Sequence, residues 1–449
     1  MHIPELSQEE EEIEMLRLKT GCFVLVILFS LFLGFPVCAA TDPYIVKQLE
    51  ILRNRIDELE KEIKAGEQER KKLEEANKEL QDIKDKLSHL SISGGVTTIF
   101  QGTVNNGDNC HEGDVQDGNY SIDLNIEANL EKWGTGFIHL EAGDGDSVTD
   151  EVPALTGINA DVLGEQNDVE VAEAWWEFHP PQYEALTFTI GKLDPTVYWD
   201  ANNVANDETT QFMADIFVNN VAMEWPDYTP GFRLMISPNE LVDINLGLLS
   251  ADSDWEDLFE DVFGIMEFDI KPRFLQDLAG NYRFYVWING IDHVEWDDVK
   301  AGITHDDKEN YGFGFSFDQQ CTEDITVFSR FGIQDSDIAG VSPDGGELEP
   351  FAMECSWSLG GQITGQRWNR PDDVFAIAVG QAILSDDFED YLRDQGIDPG
   401  DETHLELYYS IALNNHVAIS PDFQLIDNLG GDEDADTAYI FGVRTQVNF

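Results

Sequence analysis

The stretch Asn119-Tyr120-Ser121-Ile122-Asp123-Leu124-Asn125-Ile126-Glu127-Ala128-Asn129-Leu130 alternates without a break. Tyr120, Ile122, Leu124, Ile126, Ala128 and Leu130 share one face, and the intervening residues are all polar. A period of two places successive side chains on opposite sides of a β-strand. The pattern recurs where Tyr282, Phe284, Val286 and Ile288 interleave with Arg283, Tyr285, Trp287 and Asn289. It recurs again where Leu405, Leu407, Tyr409, Ile411 and Leu413 interleave with His404, Glu406, Tyr408, Ser410 and Ala412. A soluble sandwich also alternates, but such segments are far more numerous here than one sandwich needs. The chain also ends with Tyr439, Phe441, Val443, Val447 and Phe449 on one face, the terminal aromatic that outer-membrane barrels carry. In lipid a sheet must close on itself, because an open edge leaves its amides without partners.

Working outward, strands are expected at 92–105, 118–131, 135–144, 168–179, 185–192, 230–237, 241–250, 262–273, 279–290, 309–318, 324–334, 350–364, 372–383, 403–413, 417–427 and 437–449. Sixteen is even, as bacterial barrels require. The connections alternate short and long. The long ones, at 106–117, 145–167, 193–229, 251–261, 291–308, 335–349, 384–402 and 428–436, are expected outside the cell. Val218–Trp225 would make an odd strand and break the alternation, so it is assigned to a loop. The expected fold is all-β: a sixteen-stranded antiparallel transmembrane barrel preceded by an α-helical coiled coil.

Ahead of the barrel, Arg17 and Lys19 precede an apolar run from Gly21 to Phe35, followed by Pro36-Val37-Cys38-Ala39-Ala40. That is the pattern of a secretory signal, assigned to residues 1–40. The acidic stretch Met1–Glu14 does not suit the start of a signal, so Met15 is the expected start. In 43–90, Ile45, Leu49, Leu52, Ile56, Leu59 and Ile63 alternate spacings of four and three, and Leu73, Ala76, Leu80, Ile83, Leu87 and Leu90 resume them. This is an a/d seam with a stammer beside Gly66. So polar a helix needs partners, most simply two further copies in a homotrimeric periplasmic stalk. The barrel occupies 91–449.

The chain carries 26 Lys+Arg against 89 Asp+Glu. In 91–449 the count is 13 against 70, a balance of −57. Such a charge repels nucleic acid and excludes it as a partner. Outer-membrane lipid is the expected surroundings. No HExxH, GxSxG or Walker pattern occurs, and no enzyme, metal or cofactor is expected. Cys110, Cys321 and Cys355 fall at different heights of the barrel, so no disulfide within the chain is expected.

A barrel of this size leaves an aqueous channel that something must narrow. The longest connection, 193–229, is the candidate. It mixes aromatics with amides and carboxylates, the combination that binds sugars through ring stacking and paired polar contacts. The run GKLDPTVYWDANNVANDETTQF (191–212), Glu173-Ala174-Trp175-Trp176-Glu177, Val218-Asn219-Asn220, Arg370-Pro371-Asp372-Asp373 and the terminal Gly442-Val443-Arg444-Thr445-Gln446-Val447-Asn448-Phe449 resemble the carbohydrate-selective porin (OprB-like) family. The resemblance spans most of 92–449 and implies a sixteen-stranded barrel that passes sugars passively. The coiled coil and the scarcity of Lys and Arg depart from it.

Strand parity sends Glu173, Trp175, Glu177, Arg233, Arg283, Trp287, Arg330 and Arg444 inward, and Ala172, Ala174, Trp176 and Phe178 outward. The expected pore and sugar path adds Lys192, Asp194, Tyr198, Trp199, Asp200 and Asn202. The inward arginines are expected to oppose the acidic loop and hold it across the lumen. Small sugars and ions are the expected solutes. Two other readings remain: a general or cation-preferring porin without a sugar site, and an envelope tether whose barrel is only an anchor.

Overall fold

The computed structural model describes residues 43–104, 113–161, 169–256, 258, 260–274, 277–303, 308–341 and 351–449. The signal segment and Cys110 lie outside the described residues. Two compact units meet at Lys84/Asp85.

The first unit carries helix α1, Pro43–Leu87, 45 residues with Gly66 inside an unbroken run. At about 1.5 Å per residue it is roughly 68 Å long. Leu49, Leu52, Ile56, Ile63, Leu73 and Leu80 are exposed along it. Pairs such as Arg55–Glu58 (2.8 Å) and Arg70–Glu74 (3.4 Å) lace its surface.

The second unit is a closed antiparallel barrel of sixteen long strands. They are β1 Leu90–Val104, β2 Gln116–Asn129, β3 Thr135–Gly145, β4 Glu170–Phe178, β5 Leu186–Leu193, β6 Thr229–Asn239, β7 Val242–Ser250, β8 Val262–Ile270, β9 Leu278–Glu295, β10 Lys308–Gln320, β11 Ile325–Gln334, β12 Met353–Thr364, β13 Val374–Leu384, β14 Glu402–Asn414, β15 Val417–Asp427 and β16 Ala438–Asn448. Each pairs with its neighbour in sequence, and β1 pairs with β16 from Gly95↔Asn448 to Val104↔Tyr439 to close the cylinder. Two short pieces add nothing to the count. Arg273–Phe274 tightens a short turn, and Ile338–Val341 pairs with the far end of β9. Val218–Trp225 holds the end of a short helix, Asp215–Val218, and turns, with no strand.

Outward positions are apolar and exposed: Phe100, Ile190, Phe232, Leu248, Phe284, Phe313, Leu359 and Phe441. At the short-turn end Trp176 Nε1 donates to Trp133 O (2.6 Å), and Trp368 Nε1 donates to Tyr409 Oη (2.9 Å). These aromatics fit the girdle of a membrane barrel. The turn beside Trp133 requires its glycine. Gly134 has φ 92°, and a Cβ there would lie 1.8 Å from Glu177 O.

One expectation of parity is overturned in β4. Ala172 is fully buried rather than facing lipid, while Val171 is exposed. The register with β3 jumps from His139↔Glu173 to Leu140↔Val171, so Ala172 is the extra residue of a β-bulge. The bulge resets parity above Glu173 and leaves Glu173, Trp175 and Glu177 on the inner face. Cys321 and Cys355 are free thiols.

Candidate functional site

A loop that runs through a barrel loses water from its backbone, so the wall must replace those hydrogen bonds. The β5–β6 loop, Asp194–Tyr228, does run inside, and its sequence carries two apolar patches that seat it. Trp199 and Met223, with Leu193 at the end of β5, pack on Leu249, Phe263, Ile265, Tyr285 and Trp287 of the wall. Val204, Phe212, Ile216 and Phe217 pack on Phe328, Ala376, Ala378 and Tyr408. Each large side chain so buried stabilises the fold by about 1.5–3 kcal/mol.

Polar side chains of the wall supply the backbone's missing partners. Arg330 donates to Phe217 O (2.9 Å), Asp200 O (2.9 Å) and Ala205 O (3.0 Å), and pairs with Asp200 Oδ2 at 2.6 Å. Glu406 accepts from the amides of Met213 (2.7 Å) and Ala214 (3.0 Å), just ahead of the short helix Asp215–Val218. Glu267 accepts from the Asp200 amide (2.8 Å), and Asp318 accepts from Asn203 Nδ2 (2.8 Å). Six hydrogen bonds meet at Asn220, with Asp200 Oδ2, Tyr285 Oη, Ser356 Oγ, the Ala222 and Met223 amides and Trp225 Nε1. Gly332 makes room for this pin, since a Cβ there would lie 2.0 Å from Asn220 Nδ2. The β3–β4 loop turns inward by the same means. Glu402 accepts from the amides of Thr156 (2.8 Å) and Leu155 (3.1 Å), and Val148, Val152 and Ile158 are buried against Ile426, Ala438 and Ile440.

Burial sets the protonation of the loop carboxyls. Asp200 is pushed up to about 6 by desolvation, against the opposing pull of Arg330. Desolvation also raises Asp215 to about 6 and Asp161 to about 7.

Between this loop and the inner face of β2–β4 an open cavity of about 810 Å³ remains. That is within the 300–1,000 Å³ common for small-molecule sites. Asp123, Asn125, Phe137, His139, Glu141 and Glu173 line it from the strands, and Asp194, Asn206, Asp207, Asn219, Asp227 and Tyr228 from the loop. Trp175 stacks behind Phe137, with ring centroids 4.8 Å apart, and donates from Nε1 to Glu173 Oε2 (3.0 Å). Aromatic faces therefore stand beside carboxylates and amides, facing a space large enough for a sugar.

The residues expected to line the path fall into two groups. Glu173 and Asp194 line the cavity, with Trp175 one layer behind, and Lys192 donates to Glu170 Oε1 (3.3 Å) and Val171 O (2.9 Å) at its edge. Trp199 and Trp287, at 0% and 3% exposure, face no open space. Asp200 and Asn202 are buried too, and Asn202 Nδ2 donates to Ser316 Oγ and Phe317 O (both 3.2 Å). All four are buried where the loop meets the barrel wall. Arg233 lies under Tyr198, 4.6 Å from its ring centre, and 3.6 Å from Glu177. Arg283 pairs with Asp318 (3.2 Å), and Arg444 donates to Glu208 O. Sequence reasoning missed Glu267, Glu402, Glu406, Asp318 and Asn220. Inward parity marks the first four as lumenal, but their loop partners lie far along the chain.

An even-stranded, lipid-facing barrel with an inward loop beside a polar cavity defines a porin-class channel of the outer membrane. Residues 113–449 match the carbohydrate-selective porin, OprB family, and the chain belongs to that family. Its fold is similar to the high-pH structure of Pseudomonas putida OprB, at 14% identity and a TM-score of 0.69, over 82% of this chain and 96% of that one. The low-pH structure of the same protein gives a TM-score of 0.51 at 13% identity over the same shares. An uncharacterized protein of Aquifex aeolicus (strain VF5) is 25% identical over 261 residues, 58% of this chain. The match spans 63% of that relative's length. Family and fold indicate a channel rather than an enzyme.

Proposed function

We propose that this chain lets small hydrophilic solutes, carbohydrates above all, diffuse passively across the outer membrane. The observation that carries the reading is the cavity beside the β5–β6 loop, where Phe137 and Tyr228 face Asp194, Asn206 and Glu173. Sugar rings have apolar CH faces and hydroxyl rims, and this wall offers partners to both. No chemical step is required of it. Weak, repeated contacts lower the barrier to passage without trapping the solute.

The β5–β6 loop is the constriction in this reading. Glu173, Trp175, Asp194, Lys192 and Tyr228 form the solute path. Trp199, Asp200, Asn202, Trp287, Arg330 and Arg444 act as its scaffold. The test is single-channel recording of the refolded protein with glucose and then maltose added. A saturable block of the current supports the path, and Trp175→Ala should weaken it several-fold. Currents indifferent to both sugars overturn it.

Helix α1 is proposed as a periplasmic trimerisation stalk, since its exposed Leu/Ile seam has the spacing of a coiled coil. Residues 1–40 are proposed as its export signal. Mass measurement of the detergent-solubilised protein should give a trimer. Leu52→Asp with Ile56→Asp should shift it toward the monomer if the seam holds the copies together.

A further inference from the structure

The arginines that the barrel sends inward are withdrawn from its open space. Arg233, Arg283, Arg330 and Arg444 are 7%, 8%, 1% and 1% exposed. Arg330 is occupied by three loop carbonyls and Asp200, and Arg444 lies against Glu208 O and the Tyr408 ring. Arg283 pairs with Asp318, and Arg233 with Glu177 and the Tyr198 ring. Several lumenal carboxylates are likewise taken up by loop amides, Glu267, Glu402 and Glu406 among them.

What remains around the 810 Å³ cavity is nearly of one sign. Asp123, Glu141, Glu170, Asp207 and Asp227 line it, and His139 is the basic side chain among its described lining residues; with Asp123 set against His139 and Glu170 against Lys192, carboxylates still outnumber bases. His139 Nε2 lies 2.9 Å from Asp123 Oδ1 and Nδ1 lies 3.9 Å from Glu173 Oε1, so it too is engaged. Lys192, beside the cavity, is held by Glu170 and Val171 O. On the same lining, Asn219 Oδ1 is buried and has no hydrogen-bond partner among the described residues.

We propose that this path selects by charge and takes amino sugars, and organic ammonium solutes of that size, in preference to neutral sugars and strongly over sugar acids and sugar phosphates. This rests on the porin reading above and adds the substrate class. A cleft lined by one sign of charge between low-dielectric walls focuses the field and concentrates the opposite charge 10-fold or more. Phe137 and Tyr228 supply faces on which both a sugar and an ammonium group settle. Were the four arginines open to the lumen, the field would be mixed and the preference weak.

The test is flux through the full-length protein in liposomes at pH 7.0, with glucosamine, glucose and glucuronate as probes of matched size. The expected order is glucosamine, glucose, glucuronate, with about a 10-fold ratio between the first and last at 0.1 M salt. The ratio should collapse at 1 M salt, where the screening length falls from about 10 Å to about 3 Å. Asp123→Asn with Glu141→Gln and Asp227→Asn should cut the ratio several-fold. Glu433→Gln with Asp434→Asn, exposed on an outer loop, should leave it in place. Equal fluxes, faster glucuronate, or an equal response to the outer-loop pair overturns the charge selection. Glucose flux with a flat ratio leaves the porin reading standing while this inference falls. No flux of any probe and no conductance overturns both.

Discussion

Two walls of one lumen use the same residue types for opposite purposes. On the side of the β5–β6 loop, Arg330, Glu267, Glu406 and Asp318 face inward and are consumed by backbone groups and amides of the loop. On the side of β2–β4, Asp123, Glu141 and Glu173 also face inward, but they border open space. What separates the walls is whether a segment of chain covers them. A buried charge must be paired and hydrogen-bonded, so the covered wall reads as scaffold. An uncovered charge projects a field, so the open wall reads as selectivity. Net charge alone, −57 over 91–449, mixes the two populations and overstates the field a solute meets.

The largest effect should come from breaking the covered wall at its centre. Arg330→Met strands Asp200, which is fully buried, with no cation beside it. Removing one partner of such a pair costs about 3–5 kcal/mol. The expected result is a lower urea midpoint for the refolded barrel, together with a larger, noisier single-channel conductance as the loop leaves the wall. Arg330→Met with Asp200→Asn should recover part of the stability, because the stranded charge is gone. A double-mutant cycle that is strictly additive would mean the two residues do not act as a pair.

How much of this contrast the sequence carries depends on the range of the interaction. Alternation such as Tyr120 to Leu130 is local, so most strand bounds are readable within a residue or two; the exceptions are the expected 262–273, which stops at Ile270, 279–290, which runs on to Glu295, and 350–364, which begins at Met353. The β15 bounds, Val417–Asp427, coincide with the expected 417–427. The exception to parity, Ala172, lies at a bulge, where one added residue shifts parity and no turn signal announces it. The inward loop was foreseen from its length and from the arginines facing it. Which aromatics stay open was not. Trp175, Trp199 and Trp287 look equally fit to stack on a sugar, but the fold buries Trp199 and Trp287 in a dry cluster, packs Trp175 against its edge behind Phe137, and leaves Phe137 and Tyr228 on the cavity. The clamps Glu267–Asp200 and Glu406–Met213 join residues 67 and 193 positions apart, beyond the reach of any local pattern.

A smaller effect should come from the Asn220 pin. Asn220→Ala removes side-chain bonds to Tyr285, Ser356 and the Ala222 amide, and buried partners left unsatisfied cost about 1–3 kcal/mol. Gly332→Ala should do comparable damage by a different route. Its methyl would collide with the Asn220 amide and push the pin out of its hole. Once Asn220 is already Ala, the second substitution has nothing to displace. The double variant should therefore unfold at nearly the same urea concentration as Asn220→Ala. Additive losses would show that Gly332 serves the strand and not the loop.

The smallest effect per group is a pH dependence of the buried loop carboxyls. Desolvation holds Asp200 and Asp215 near 6 and Asp161 near 7, against about 3.9 for an unfolded Asp. A carboxyl whose folded pKa lies above its unfolded one binds its proton more tightly in the native state. Its contribution is full below about pH 4 and fades as the pH rises through the folded value. Going from pH 8 to pH 5, each of these groups should add roughly 1 kcal/mol or more to barrel stability. The urea midpoint should therefore rise over that range, and Asp200→Asn should remove part of the rise. Cation preference should move the other way, since protonating Asp161 on the cavity lining removes a lumenal charge. Asp200, off the cavity lining, separates the two: Asp200→Asn should trim the rise in stability and leave the shift in cation preference, and an equal loss of both would mean that one set of carboxyls serves both and that the division between covered and open walls fails.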